Sequence, residues 1–229
     1  RLWQTAGEEH PAYIVPPLSH YIDGPAGFKF NPGTALSPEY RDYFFITGAP
    51  NGNQHAFRVR PDGDAFEMVD ERKIGSGIAI VGLAFGPDGA LYGADWDGGY
   101  PLDQKGSVVR IDVPGSADSP TRLAVKNLLA DGFAGRTPDE LNSLLGHDDQ
   151  RVRMGAQFEL VRRRDADLLR SVAGDSNRSR LARLHAIWGI GQLARETDQD
   201  AQAWLPEWFT DSDAIIRAQS ARTFGELTR

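Results

Sequence analysis

The sequence predicts a multidomain chain of the β-then-α class, with short strands first and paired helices after them. Three observations carry this. Up to about Pro120, glycine and proline punctuate short apolar or alternating runs, the pattern of strands joined by turns. Beyond Thr137 proline is nearly absent and apolar residues recur at helical spacing. Between them, Pro114 to Pro120, with Gly115, Ser116, Asp118 and Ser119, reads as a linker or turn, so the boundary falls between 114 and 137.

In the first part the predicted strands are Gly27–Phe30, Tyr43–Gly48, His55–Arg60, Phe66–Val69, Gly82–Phe85, Leu91–Asp95 and Val108–Val113. Turn signals separate them: Asn31-Pro32-Gly33, Pro50-Asn51-Gly52, Pro61-Asp62-Gly63 and Pro87-Asp88-Gly89. A weak internal repeat runs through these strands. Gly27-Phe28-Lys29-Phe30-Asn31-Pro32-Gly33 resembles Gly82-Leu83-Ala84-Phe85-Gly86-Pro87-Asp88-Gly89, and each is followed by an aromatic strand and then by one carrying a basic residue. Strands repeated in this way over about 40–55 residues are what β-propeller blades look like. Residues 1–120 therefore read as about two blades of a partial propeller. Two blades cannot close a ring of four or more, and they would leave strand edges and apolar faces uncovered. Together with a start at Arg1, this leads us to expect a fragment.

The second part repeats as well. Asp149-x-x-Val152-Arg153-x-x-Ala156-x-x-x-Leu160 matches Asp213-x-x-Ile216-Arg217-x-x-Ser220-x-x-x-Phe224, with a looser copy, Ala182-Arg183-x-x-Ala186-x-x-x-Ile190, between them. The small fourth residue lets two helices approach closely, and the apolar residues around it form one stripe. Each such helix follows a shorter one, at Pro138–Leu145, Ala166–Ala173 and Gln199–Phe209. Asp148 or Asp149, and Asp211, Ser212 or Asp213, stand where N-caps are wanted. Residues 137–229 thus read as about three HEAT-like hairpins, an α-solenoid.

Composition narrows the function. The 229 residues carry 25 basic and 32 acidic side chains, a net charge of −7, which argues against a broad nucleic-acid footprint. No run of about 18 apolar residues is present to span a membrane. With no cysteine, the chain has no disulfide, thiolate zinc site, cysteine nucleophile or covalent haem of its own.

Pro16-Pro17-Leu18-Ser19-His20-Tyr21-Ile22-Asp23-Gly24-Pro25-Ala26-Gly27, Phe85-Gly86-Pro87-Asp88-Gly89-Ala90-Leu91-Tyr92 and Asp95-Trp96 resemble the late blades of a sorbosone/glucose dehydrogenase-like propeller. They are followed by Asp149-Gln150-Arg151-Val152-Arg153 and by Leu181-Ala182-Arg183-Leu184-His185-Ala186-Ile187-Trp188-Gly189-Ile190-Gly191-Gln192-Leu193. This order resembles the PVC-type haem-binding CxxCH proteins, the membrane-bound dehydrogenase family, over nearly the whole sequence. In that family a dehydrogenase-like propeller precedes HEAT repeats and a cytochrome c-like domain closes the chain. The resemblance implies a periplasmic or membrane-associated extracytoplasmic parent that oxidises a sugar, alcohol or aldehyde. It also implies haem c, and pyrroloquinoline quinone with calcium, in that parent. The portion shown would supply propeller scaffold and a solenoid surface for a protein partner or a neighbouring cytochrome-like domain. The alternative is a non-enzymatic protein-binding propeller with a HEAT scaffold. The haem motif is absent, and Gly77-Ile78-Ala79-Ile80-Val81-Gly82-Leu83 stands where the related enzymes hold the quinone with arginines. No cofactor is therefore expected in this portion, and the catalytic histidine of those enzymes would fall in an earlier blade.

Asp95, Asp97 and Asp103 cluster in a glycine-rich loop, a spacing two carboxylates can use for a hard cation; the simpler reading, a solvated loop with turn-capping aspartates, is preferred, and no metal is assigned. None of His10, His20, His55, His147 and His185 sits in a recognisable catalytic motif. His185 reads as a structural core histidine. His20 and His55 lie near blade ends, where a ligand or catalytic role is open, and catalytic residues remain unassigned. Arg162-Arg163-Arg164, with Arg151, Arg153 and Arg170, form either a docking face for an anionic partner or a solvated helix end favoured by the helix dipole, the latter preferred. Trp204, Trp208 and Phe209 read as solenoid core.

Overall fold

A computed structural model describes residues 18–19, 21–49, 51–63, 65–97, 105–196 and 199–227. Antiparallel sheets of four and three strands are followed by a helical region. The chain divides into two compact units. One takes Arg1–Asn31, Ala35–Gly86 and Ala90–Pro114; the other takes Gly115–Arg229 with the turn tips Pro32–Thr34 and Pro87–Gly89.

In the first unit, β1 (Pro25–Phe30), β2 (Phe44–Gly48), β3 (Asn53–Asp62) and β4 (Ala65–Gly75) form one sheet in that order. The strands β5 (Ile80–Phe85), β6 (Leu91–Asp95) and β7 (Ser107–Ile111) form the other. Each coincides with a strand read from the sequence, though β3 and β4 extend further to make a long hairpin through Gly63, whose φ of +57° suits glycine. Alternation along the strands sorts side chains to opposite faces. Tyr43, Phe45, Thr47 and Ala56 point to one face of the first sheet and are buried. They meet Ile80, Leu83, Phe85 and Leu91 of the second sheet in a common core. Gly27 permits that approach: a Cβ there would lie 2.9 Å from Leu83 Cγ and 2.8 Å from Thr47 Oγ1. Thr47 Oγ1 completes the seam by donating to Ile80 O at 2.6 Å. The opposite face of the first sheet carries Phe28, Phe30, Phe44, Ile46 and Phe57.

The helical unit contains α1 (Pro120–Asp131), α2 (Pro138–Leu144), α3 (Gln150–Arg163), α4 (Ala166–Gly174), α5 (Arg180–Glu196), a 3₁₀ helix (Gln199–Trp208) and α6 (Ala214–Leu227). The helix α1 lies where the sequence suggested only a linker and unassigned chain. Its signal was present, since Ser119 caps the helix and Pro120 occupies its first turn. Pro206 lies within the 3₁₀ segment, where an α-helical bond to its missing N–H is impossible. Thr137 and Glu140 form a reciprocal capping box on α2, and Asp149 and Asp165 cap α3 and α4. Asp213 Oδ1 accepts from Ile215 N at 2.9 Å at the start of α6.

The stripes Val152/Ala156/Leu160, Ala182/Ala186/Ile190 and Ile216/Ser220 are all fully buried, and Leu141, Leu169, Leu193 and Leu205 join their core. Ser220 satisfies its hydroxyl on Ile216 O at 2.9 Å. Arg153, at the first turn of α3, donates from Nη1 to His147 O at 2.6 Å and Asp148 O at 2.9 Å. Arg217 does the same to Asp211 O at 2.7 Å and Ser212 O at 3.1 Å. Arg183, on α5, donates from Nε to Ala173 O at 2.8 Å and pairs with the Asp211 carboxylate. These bonds satisfy carbonyls that would otherwise be stranded between helices.

Arg183 is buried, so Arg183→Ala leaves Asp211 and Ala173 O without their partner. The expected loss is about 3–5 kcal/mol, measured by urea unfolding at neutral pH; a loss below about 1 kcal/mol would contradict the clamp. His185 is buried and burial, with Arg153 nearby, pushes its pKa down from 6.5 to about 4. As pH falls the unfolded chain therefore takes up this proton first. The stability is complete above pH 6.5 and declines as pH falls toward about 4, by at most about 3 kcal/mol. A flatter stability profile over that window is expected for His185→Gln.

Candidate functional site

The first unit holds a polar cleft of about 440 Å³ lined by Tyr21, Ile22, Asp23, Asn51, Asn53 and His55. The turn after β2 supplies Asn51, whose Oδ1 accepts from Asn53 N at 3.0 Å, a side-chain-to-backbone bond that shapes the turn. The first residues of β3 supply Asn53 and His55. His55 Nδ1 and the Tyr21 hydroxyl are hydrogen-bonded at 3.1 Å, and their rings meet edge to face with centroids 4.9 Å apart. Tyr21 also stands edge-on to Phe57 at 5.7 Å.

Burial lowers the His55 pKa and the Lys73 ammonium lowers it further, while Glu71 pulls it the other way. Burial raises Tyr21, and Glu71 adds to that. Both groups are thus neutral near pH 7, an imidazole with a phenol donor beside it. The lining offers mixed donors and acceptors and one carboxylate, Asp23. It can bind a polar ligand or relay a proton; its described residues include no serine, threonine or lysine to act as a nucleophile.

The other residues singled out from sequence have structural occupations. His147 Nδ1 accepts from Asp149 N at 2.9 Å in the turn before α3, and burial lowers its pKa. His185 Nδ1 donates to Gln157 Oε1 at 2.7 Å, and Gln157 Nε2 donates to Gln192 Oε1 at 2.8 Å. Arg162 bonds Glu159 through Nε at 2.8 Å and Nη2 at 2.6 Å, and Arg163 Nε joins the same carboxylate at 2.6 Å. The Arg162 hydrogen bond, chiefly, holds the Glu159 pKa at about 2. Arg163 also reaches Ala134 O at 2.9 Å. Arg164 ends α3 in the left-handed region at φ 58°. Arg151 is bound to Asp149, and Arg170 pairs with Glu207 and lies over the Trp204 ring at 4.9 Å. Trp208 is core, Trp204 is partly buried against it, and Phe209 packs edge-on to Phe224.

His10, His20 and Asp103 lie outside the described residues. Asp95 Oδ2 accepts from Ser107 Oγ at 3.2 Å, and among the described residues no three His, Cys, Asp or Glu side chains gather for a metal. The cofactors implied by resemblance do not fit the residues present. Without cysteine there is no thioether attachment for haem c. Residues 77–83 bring no cation for a quinone's carboxylates, and the Ile80 carbonyl already accepts from Thr47. Tyr21, Asn51 and Asn53 escaped the sequence reading because no motif links them to His55; only the place of His20 and His55 near the ends of the expected blades hinted at a site. No helix is long and apolar enough to cross a membrane among the described residues. No protein-family model, curated protein or solved structure matches the chain.

The His55 imidazole is expected to titrate below pH 6.5 in ¹H–¹⁵N spectra. Lys73→Met removes one of the two lowering causes and should move the midpoint upward. No movement would mean that Lys73 does not act on this ring.

Proposed function

We propose that this chain is a scaffold and interaction module, with propeller-type blades joined to a HEAT-type solenoid that presents its surface to a protein partner. The observation that carries the solenoid reading is a recurring arginine clamp. Arg153 and Arg217, 64 residues apart, each bind the carbonyls five and six residues before them. One repeat geometry executed twice, with Arg183 between, is how stacked helix pairs build an extended binding surface. The blade reading is supported by the two apolar-faced antiparallel sheets packed through Gly27.

The order of motifs supports an extracytoplasmic redox setting, in which a parent dehydrogenase oxidises a sugar, alcohol or aldehyde and passes electrons to haem. In that setting the solenoid positions the electron-accepting, cytochrome-like partner, and the redox centre lies on other residues. The non-enzymatic alternative draws on the cleft around His55, whose described lining of Tyr21, Asp23, Asn51 and Asn53 offers hydrogen-bonding groups for a polar ligand.

Deleting residues 137–229 from the haem-carrying parent is expected to abolish haem reduction by a sugar or alcohol donor in stopped-flow spectra while preserving reduction of a soluble dye. Unchanged haem reduction overturns the solenoid's role. Silence of the intact, quinone-supplemented protein across a panel of sugars and alcohols overturns the redox setting in favour of the binding module.

A further inference from the structure

The repeat that positions the clamp arginines also positions a row of side chains on the surface of the helical unit. Arg153, Arg183 and Arg217 occupy equivalent places on α3, α5 and α6, and five residues beyond each stand Phe158, Trp188 and Arg222. Phe158 is 46% exposed, Trp188 is half-buried and the Arg222 side chain is 71% exposed. Gln157 ties α3 to α5 by bonding both His185 and Gln192. From α5 to α6 the contacts advance together, Trp188 to Gln219 and then Arg195 to Glu226, so these helices run in the same direction. Both aromatic residues sit on helices with packed chain on either side, α3 between Phe133 and α5, and α5 between α3 and α6. Their exposure is therefore a property of the repeat.

Between α5 and α6 the row opens into a cleft of about 300 Å³ lined by Trp188, Gln219, Arg222, Thr223 and Glu226. Spacing is the first feature that describes a ligand. Packed helices have axes about 8–10 Å apart, and Gly191 keeps α5 close to α6, since a Cβ there would fall 2.4 Å from Thr223 Cγ2. A polyproline II segment turns once in three residues and advances about 9 Å in doing so. Its residues i, i+3 and i+6 thus share one side at the spacing of the helices. In an extended strand i and i+3 point to opposite faces.

Hydrogen bonding is the second feature. Gln192 Oε1 accepts from Gln157 Nε2 at 2.8 Å and Gln219 Oε1 accepts from Trp188 Nε1 at 3.2 Å. The Nε2 donors of Gln192 and Gln219 are left without an acceptor among the described residues. A polyproline II backbone makes no internal hydrogen bonds, so its carbonyls are available to such donors. Charge is the third. Arg195 and Arg222 share one carboxylate, Glu226. That end of the row is net positive and complements an anion, while the Phe158 and Trp188 rings complement apolar residues, proline above all.

We infer that this row receives a proline-rich segment of a protein partner in the polyproline II conformation, with apolar residues on Phe158 and Trp188 and a carboxylate three residues further along at Arg222. The inference rests on the reading of the solenoid as a docking surface and names the kind of segment it takes. The test is a ¹H–¹⁵N titration of the full chain, read at the Trp188 indole and the Gln219 side-chain amide, with Trp188→Phe identifying the indole signal. The probes are capped proline-rich peptides with anchor prolines at i and i+3 and glutamate at i+6, made in both chain directions. One direction should shift both signals, and glutamine in place of its glutamate should weaken binding by about 3–5-fold. Arg222→Glu, at an exposed position, should reverse the preference, so that a lysine peptide binds better than the glutamate peptide. A peptide with the same anchors but glycine and serine between them should bind more weakly, because it is not held in the bound conformation beforehand. The inference is overturned if neither direction shifts the two signals, or if the flexible peptide binds as tightly. It is overturned equally if the glutamate and lysine peptides keep the same order in wild type and Arg222→Glu. Any of these results, alongside haem reduction lost on deleting 137–229, removes this occupant and leaves the solenoid's role standing.

Discussion

The helical unit depends on guanidinium groups at the starts of its longer helices, buried at Arg153 and Arg183 and half-buried at Arg217. Helices packed as hairpins leave turn carbonyls pointing into an interior that water does not reach, and an unmet carbonyl there is expensive. Arg153 and Arg217 answer this by spanning two successive carbonyls with one nitrogen each. A lysine ammonium lacks the planar fork that lets the remaining nitrogens stay in the same plane for other partners. Arg183 uses its fork more fully, on Ala173 O and on both oxygens of Asp211. Burying a cation is not in itself a gain in stability. Arg153 shows the penalty: its Nε finds no partner and burial lowers its pKa. What the clamp secures is register, because it holds the turn against the helix whose Val152, Ala156 and Leu160 must face the next pair.

Asp211 shows how this register passes from one pair to the next. Its side chain binds Arg183 of α5 and accepts from Asp213 N at 2.8 Å, while its own carbonyl accepts from Arg217 of α6. The Arg183 hydrogen bond is the chief cause that lowers its pKa. One residue thus shapes the turn before α6 and ties that turn to α5. Small residues do the complementary work where helices meet. A Cβ at Gly155 would fall 2.1 Å from Phe133, and one at Gly191 would fall 2.4 Å from Thr223. Close approach and buried charge are therefore parts of one arrangement, since helices held that near have no room for water on their turns.

Much of this was legible in the sequence, for reasons that also mark the limits. The strands were readable because each is bounded by a turn that needs glycine or proline, and the helix pairs because a buried stripe must recur at helical spacing. The helix α1 was missed because Ser119-Pro120, a start signal, sat in a stretch whose composition also suits a linker. The 3₁₀ segment was read as an ordinary helix since a single proline at 206 shows that something breaks without showing what replaces it. Arg162 and Arg163 looked like a basic face because sequence counts charges and does not show that both converge on Glu159. The cleft was the least legible feature. Tyr21 and His55 are separated by 34 residues, and no motif relates the segment before β1 to β3.

The distribution of polar groups explains why the sheets and the helices suit different roles. In the helical unit the polar side chains that sequence reading singled out are engaged internally: His147 on a backbone amide, His185 on Gln157, and arginines on carbonyls or carboxylates. A group held in this way cannot turn to a ligand without undoing the packing that it supports. The repeated helices are kept in place by these clamps. The sheet unit is built on opposite terms. Its core is held by alternation and by the Gly27 seam, and on its other face Tyr21 packs edge-on to the buried Phe57 while Phe28 and Phe30 stay exposed. The same side chain cannot serve a clamp and a ligand at once, which is why the described cleft around His55 lies on the sheets and away from the buried arginines.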